Sequence, residues 1–165
     1  LVFLCDTPGI MVGPEIERTA LVRKSSRMFV TAANLAVPSF AIVLRKAYGL
    51  GAVAMTGASF RNPLAVVAWP TGEFGPMGLE GSVKLGFRDQ LAAVEDPDER
   101  RVLYDELVAK EYARGKATRS ATAFGIDDAI DPADTRRWLT NLLASIRPDA
   151  QITDTRKKRG YIDAW

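Results

Sequence analysis

The chain has 165 residues, 47% hydrophobic and 25% charged, with 22 lysines and arginines against 20 aspartates and glutamates, a net charge of +2. That near balance supplies no basic stripe for a nucleic-acid backbone, and no apolar run is long enough to cross a bilayer, so neither nucleic acid nor membrane is an expected partner. There is no histidine, which removes imidazole acid–base chemistry, the usual serine triads and most zinc sites; no metal site is expected, and chemistry must lean on backbone dipoles, carboxylates, cations or the substrate.

At this length one sizeable core is the simplest arrangement, read as a single domain over 1–165. The lone cysteine, Cys5, sits in a strand-like run and suits a reducing, cytoplasmic setting. The chain opens on a buried-type strand, Leu1-Val2-Phe3-Leu4-Cys5, without a lead-in, which reads as a fragment of a longer polypeptide. Asp6-Thr7-Pro8-Gly9 ends that strand in a turn. Pro14 and Glu15 start an amphipathic helix whose apolar stripe is Leu21, Met28, Phe29, Ala32 and Ala36, expected to cover one side of a sheet. Val37-Pro38-Ser39 breaks it, and the strand Phe40 to Leu44 follows. Strand, helix, strand at this spacing predicts a parallel crossover unit, and uniformly apolar strands predict a sheet buried on both faces.

That second strand runs into Arg45-Lys46-Ala47-Tyr48-Gly49-Leu50-Gly51, and a helix of small residues is expected from about Gly51 to Ala58. Glycines let a backbone approach a ligand closely, and the first N–H groups of a helix are unpaired donors that can hold an oxygen gaining negative charge. Arg45 and Lys46, if in a cleft, attract phosphates or a carboxylate. Another strand, Pro63 to Trp69, leads to Pro70–Gly78, too rich in breakers for regular structure, and then to a second short helix, Leu79 to Phe87. Thus the strand, glycine turn and helix occur twice. Asp96-Pro97-Asp98-Glu99 starts a longer helix with Val102, Leu103, Leu107 and Tyr112 on its apolar side. A helix end at Ala121–Phe124, a short strand over Gly125–Ile130, and a last helix capped by Asp131-Pro132 with a Leu139, Leu142, Leu143, Ile146 stripe complete the core. Asp127 and Asp128 read as a solvated turn. The tail from Arg156 to Trp165 is basic, then aromatic, and reads as solvated, the alternative being a contact to another subunit or to an anionic ligand.

Asp6-Thr7-Pro8-Gly9 also resembles the magnesium and γ-phosphate switch of GTP-binding proteins, but the Asn-Lys-x-Asp that would read guanine is absent from the sequence. A second resemblance rests on five motifs in order: Asp6-Thr7-Pro8-Gly9-Ile10, Arg45-Lys46-Ala47-Tyr48-Gly49, Ala68-Trp69-Pro70-Thr71, Met77-Gly78-x-x-Gly81, and Asp127-Asp128-Ala129-Ile130-Asp131-Pro132-x-x-Thr135-Arg136. The chain resembles the C-terminal half of the carboxyltransferase β subunit of biotin-dependent acyl-CoA carboxylases, of the propionyl-CoA and acetyl-CoA type.

This resemblance implies an α/β, crotonase-like fold, a ββα spiral forming a C-terminal carboxyltransferase subdomain with a helical tail. It implies transfer of a carboxyl group from carboxybiotin, borne on a carrier protein, to the α-carbon of a short acyl-CoA. In the family the backbone N–H groups at the positions of Leu50 and Gly51 form the oxyanion hole for the biotin ureido oxygen. Leu50 departs from the family's usual glycine there. Val53 falls where the family lines the end of the acyl pocket, while Arg45, Lys46, Tyr48 and Gly49 belong to the same substrate-binding turn. The implied partners are acyl-CoA, a biotin carboxyl carrier or biotin carboxylase subunit, and further copies of the chain in a homo-oligomer with the active site at a dimer interface. A lone half is then expected to be inactive. The competing expectations are a biotin-linked acyl-CoA decarboxylase, another crotonase-type acyl-CoA enzyme, and a non-catalytic assembly scaffold.

Overall fold

In the computed structural model, which describes residues 1–35 and 37–146, the apolar runs of the sequence become a parallel sheet. Strand β1 (Val2–Thr7) is followed by helices α1 (Pro14–Glu17) and α2 (Leu21–Ala33), then by β2 (Phe40–Tyr48) and α3 (Gly49–Met55). Next come β3 (Ala65–Ala68), β4 (Glu73–Gly75), α4 (Leu79–Gly86), α5 (Arg88–Ala92), α6 (Pro97–Arg114), α7 (Ala117–Thr122) and β5 (Asp128–Ala129). A 3₁₀ turn, Pro132–Asp134, leads into α8 (Thr135–Ser145). The strand order is β1-β2-β3-β5, all parallel, with β4 pairing the far end of β2.

Alternation along the strands divides the core into two layers. On one face Cys5, Ala41, Val43, Val66 and Ala68 pack with Ala52 of α3, Ala117 of α7 and Ile126. On the other, Ile42, Val67 and Ile130 lie under Trp138 and Leu139 of α8. Each valine or isoleucine among them taken out of water contributes on the order of 1.5–3 kcal/mol. β2 and β3 are therefore buried on both faces over Phe40–Val43 and Ala65–Ala68, as the apolar runs predict. β1 is not: Val2 and Leu4 stay about half exposed, because α8 reaches only the middle of the sheet.

Four further expectations are corrected. The first helix is two, since the chain turns through Ala20 in the left-handed conformation (φ 59°) between α1 and α2. α2 rests chiefly on α3 and not on the sheet, leaving Val22 and Met28 exposed, and Ala36 lies outside the described residues. Glu73–Gly75 is a strand despite its flanking prolines and glycines, because β2 continues past Leu44 to Tyr48 and offers it an open edge. α3 starts at Gly49, two residues earlier than expected, directly off β2.

The predicted cap of the long helix is present: Asp96 accepts the N–H groups of Asp98 and Glu99 at 2.8 and 3.0 Å. Its predicted apolar side is only partly covered, with Leu107 buried and Val102 exposed. Asp127 is more than a solvated turn residue, for its carboxylate accepts the Val66 N–H at 2.6 Å and fixes the start of β3. Asp131 caps the 3₁₀ turn through the Ala133 N–H rather than capping α8 directly. The basic and aromatic tail, Arg156 to Trp165, lies outside the described residues.

Candidate functional site

The site begins where β1 and β2 fall out of step. Cys5 pairs with Val43 but Thr7 pairs with Ala47, so β2 carries extra residues opposite Asp6. Such a bulge interrupts the ladder and leaves backbone groups to be satisfied elsewhere. The Asp6 carboxylate does this, accepting the Lys46 N–H at 3.0 Å, with the Arg45 guanidinium 4.0 Å away. Cys5 lies beneath, fully buried, its thiol pushed up to about 11 by burial and by the neighbouring Asp6 charge. It is a neutral thiol at working pH, not a nucleophile.

Past the bulge, Tyr48 is the N-cap of α3, and no side chain caps the helix. The first N–H groups of a helix lack intrahelical partners and carry the positive end of its dipole. Gly49 holds φ +57°, and a Cβ there would stand 2.7 Å from the Pro76 carbonyl oxygen. A Cβ on Gly51 would meet Gly9 Cα and carbonyl carbon at 2.8 Å. Glycine is therefore required at both positions, because two other turns press against this one: Asp6–Gly9 from β1 and the segment after β4. Leu50, between them, is 66% exposed, Gly51 is buried and Val53 is half-buried. An uncapped first helical turn, clamped from both sides and carrying no polar side chain of its own, can present backbone N–H groups to an oxygen but supplies no proton-transfer group.

The model of the carboxyl transferase domain matches residues 1–162. The chain belongs to the carboxyl transferase domain family. The methylmalonyl-CoA carboxyltransferase 12S subunit of Propionibacterium freudenreichii subsp. shermanii is 35% identical over 161 residues, which are 98% of this chain and 30% of that protein. The propionyl-CoA carboxylase carboxyltransferase subunit of Haloferax mediterranei is 35% identical over 86% of this chain and 26% of its own length. Among solved structures, a single-chain, multi-domain long-chain acyl-CoA carboxylase matches 86% of this chain at 57% identity and TM-score 0.73, using 14% of its own length. The transcarboxylase 12S crystal structure, a hexamer with methylmalonyl-CoA bound, matches 89% of this chain at 34% identity and TM-score 0.75, using 29% of its own. The chain thus spans about a third or less of the length of these relatives. It has the α/β fold of these carboxyltransferase structures.

Within this carboxyl transferase chain, the two cations of the Arg45-Lys46 motif have partners on different elements. Arg45 faces Asp6 of β1, whereas the Lys46 charge acts on Glu80 of α4. Tyr48 is 2% exposed and donates its hydroxyl proton to Glu73 Oε2 at 2.6 Å. Burial first, and then the Glu73 carboxylate, push that phenol far above its ordinary range. Tyr112 of α6 likewise donates to Glu80 Oε1 at 2.6 Å. That bond is the main cause holding the Glu80 carboxyl below its usual range, with a hydrogen bond from its own backbone next and the Lys46 and Lys84 charges adding to it. It also pushes Tyr112 up to about 12.

A cleft of about 460 Å³ opens behind the turn between β4, α4 and the end of α6, lined by Phe74, Pro76, Phe87, Glu111 and Arg114. Leu50, Gly51 and Val53 do not line it. Sequence reasoning missed Glu73 and the pressing of Gly9 on Gly51. The second carried a signal, since a Pro-Gly turn and a Gly-x-Gly turn both end adjacent parallel strands. Glu73 carried none. Among the described residues no helix is long and apolar enough to cross a membrane, and no group of three or more histidine, cysteine or acidic residues could hold a metal ion.

Proposed function

We propose that this chain is the biotin-side half of a carboxyltransferase, moving a carboxyl group from carboxybiotin to the α-carbon of an acyl-CoA, within a crotonase-like ββα spiral. The observation that carries the reading is the α3 turn: uncapped first-turn N–H groups, with glycine enforced at 49 and 51 by the Pro76 carbonyl and the Gly9 backbone. Carrier-borne carboxybiotin supplies the transferable carboxyl group. The ureido ring fits a cradle of this kind, because its oxygen needs donors and a side chain on Gly51 would displace the turn. In this reading Leu50 and Gly51 N–H groups hold that oxygen, Gly49 sets their direction, and the exposed Leu50 side chain turns away without removing a donor. Arg45 and Lys46 contribute positive potential at the strand end, and Val53 lines the acyl end.

Two backbone donors that need no proton transfer suit a chain without histidine. The rest of the site comes from residues outside this chain, so the fragment alone is inactive. Exposed Met11, Val12 and Leu50 are apolar surface near the turn that a second copy covers in a homo-oligomer with the site at the dimer interface, beside a biotin carboxyl carrier or biotin carboxylase partner. The reducing, cytoplasmic setting read from Cys5 goes with this proposal.

The acyl chain is short on the reading of Val53. A second reading, a long-chain acyl-CoA, is favoured by the 57% identity to the long-chain enzyme. Turnover by the full-length protein on a panel from acetyl-CoA to palmitoyl-CoA separates the two, its maximum falling at one end or the other. In the same assay Gly51→Pro removes a donor N–H and cuts turnover by at least roughly a hundredfold. A folded Gly51→Pro enzyme with unchanged turnover ends the assignment of the hole.

A further inference from the structure

We infer that Tyr48 and Glu73 form a positioning pair that fixes the direction of the α3 turn, and that Tyr48 is not itself a ligand-contacting residue. The inference rests on the biotin-side reading of that turn. Tyr48 is the residue immediately before Gly49, so its backbone sets where the first N–H groups of α3 point. Its ring is shut away from solvent and lies beside Gly75, where an added Cβ would come 3.6 Å from the ring edge. Its hydroxyl has one acceptor, Glu73 Oε2, at 2.6 Å. A phenol pushed far upward by burial and by a carboxylate keeps its proton throughout the working pH range and so remains a donor to Glu73.

Glu73 is a fixed anchor for a separate reason. Its strand is short, but the segment is tied to the α6–α7 junction on both sides of it. The Phe74 N–H donates to the Gly115 carbonyl at 2.7 Å, and the Ala117 N–H donates to the Gly72 carbonyl at 3.0 Å. Gly115 lies so close against the Phe74 carbonyl that it has no room for a side chain. β4 also pairs with β2 through Lys46, Ala47 and Tyr48, the residues that lead into the turn. A rigid strap therefore carries the carboxylate, and the carboxylate holds the tyrosine. Hydrogen bonds between an ionised acceptor and a buried hydroxyl are among the stronger ones. The Tyr48 ring is placed by packing, while its direction is fixed by this bond, and a shift of the reacting groups by about 1 Å costs on the order of a hundredfold in rate.

The test uses the full-length enzyme with its carboxylated carrier, and propionyl-CoA or palmitoyl-CoA as acceptor, whichever turns over faster. Tyr48→Phe keeps the ring and removes the donor; Glu73→Ala removes the acceptor; Glu73→Gln keeps an oxygen in its place. The expected result is a kcat about tenfold to a hundredfold lower in Tyr48→Phe and Glu73→Ala, recovery to within about threefold in Glu73→Gln, and an acyl-CoA KM within about twofold of the parent throughout. Wild-type kcat in folded Tyr48→Phe, a raised acyl-CoA KM at unchanged kcat, or Glu73→Gln as impaired as Glu73→Ala would each overturn the pair. Gly51→Pro run in parallel tells the two failures apart. If it is inactive while Tyr48→Phe and Glu73→Ala are normal, only the positioning pair fails. If it is fully active, the biotin-side reading fails as well.

Discussion

At the turn into α3 glycine is demanded by its neighbours, whereas at the turn into α4 it stands in open space. A Cβ on Gly49 or Gly51 would strike another backbone within 3 Å, while Gly78 and Gly81 have nothing within 4 Å of the same position. The two turns also hold their tyrosines differently. Tyr48 is buried against Glu73, whereas Tyr112 reaches Glu80 across an exposed surface. One sequence device, a strand, a glycine turn and a short helix, is thus clamped by other segments in one place and left in open space in another. Packing by distant segments makes the difference, not the turn itself.

Substitutions can break or sharpen that contrast. The largest effect after Gly51→Pro is expected from Gly49→Ala, which combines a left-handed φ with a Cβ 2.7 Å from the Pro76 oxygen. Strain of this kind costs roughly 1–3 kcal/mol, and the thermal unfolding midpoint should fall by several degrees together with turnover. Gly81→Ala is the counterpart. It lies inside α4 with free space around it, so the midpoint should hold or rise by up to about 3 °C, as for a helical glycine replaced by alanine. A large loss there would show that α4 is clamped too.

The smallest effect concerns pH. Tyr112 titrates near 12 instead of 10, so in the folded state it keeps its proton longer, and the stability it contributes is complete below pH 10 and is lost as pH rises from 10 through 12. Glu80 is shifted the other way; its contribution is complete above the ordinary carboxylate range and is lost as pH falls through the lowered folded value. Tyr112→Phe removes the shared cause, so chemical denaturation should show a shallower fall in stability at both pH extremes. The pair is exposed, so the change should be small and salt-dependent. An unchanged profile in Tyr112→Phe would show that the bond contributes nothing.

The motifs that carried the family resemblance turn out to have unequal roles. The run from Asp127 to Thr135 is a fastening: Asp127 takes the Val66 N–H, the Ile130 N–H donates to Ala68, Ile130 is core, and Thr135 accepts the Trp69 indole N–H at 3.0 Å. Its residues pin β5 and α8 to the sheet and lie on the fold side of the problem. Asp6-Thr7-Pro8-Gly9 and Arg45–Gly51, by contrast, meet at a single point. Nothing in the separate motifs distinguishes a fastening from a site, since acids, glycines and prolines serve both.

The sequence by itself determined what depends on neighbours along the chain. Apolar runs of five to seven residues became β1, β2 and β3, Asp96-Pro97 started α6, and the Gly-rich junctions preceded helices, because propensity, capping and burial pattern are local properties. Tertiary structure alone decided that Glu73 belongs to a strand, that the first helix breaks at Ala20, and that β1 keeps one open side. It also decided which glycines are compulsory. Gly9 and Gly51 are 42 positions apart in sequence and touch only because parallel pairing of β1 with β2 brings both strand ends to one edge. The two glycine turns show in the sequence as strand ends, but which glycine meets which backbone is settled only when the strands pair, so the contact itself is written in the fold rather than in the chain.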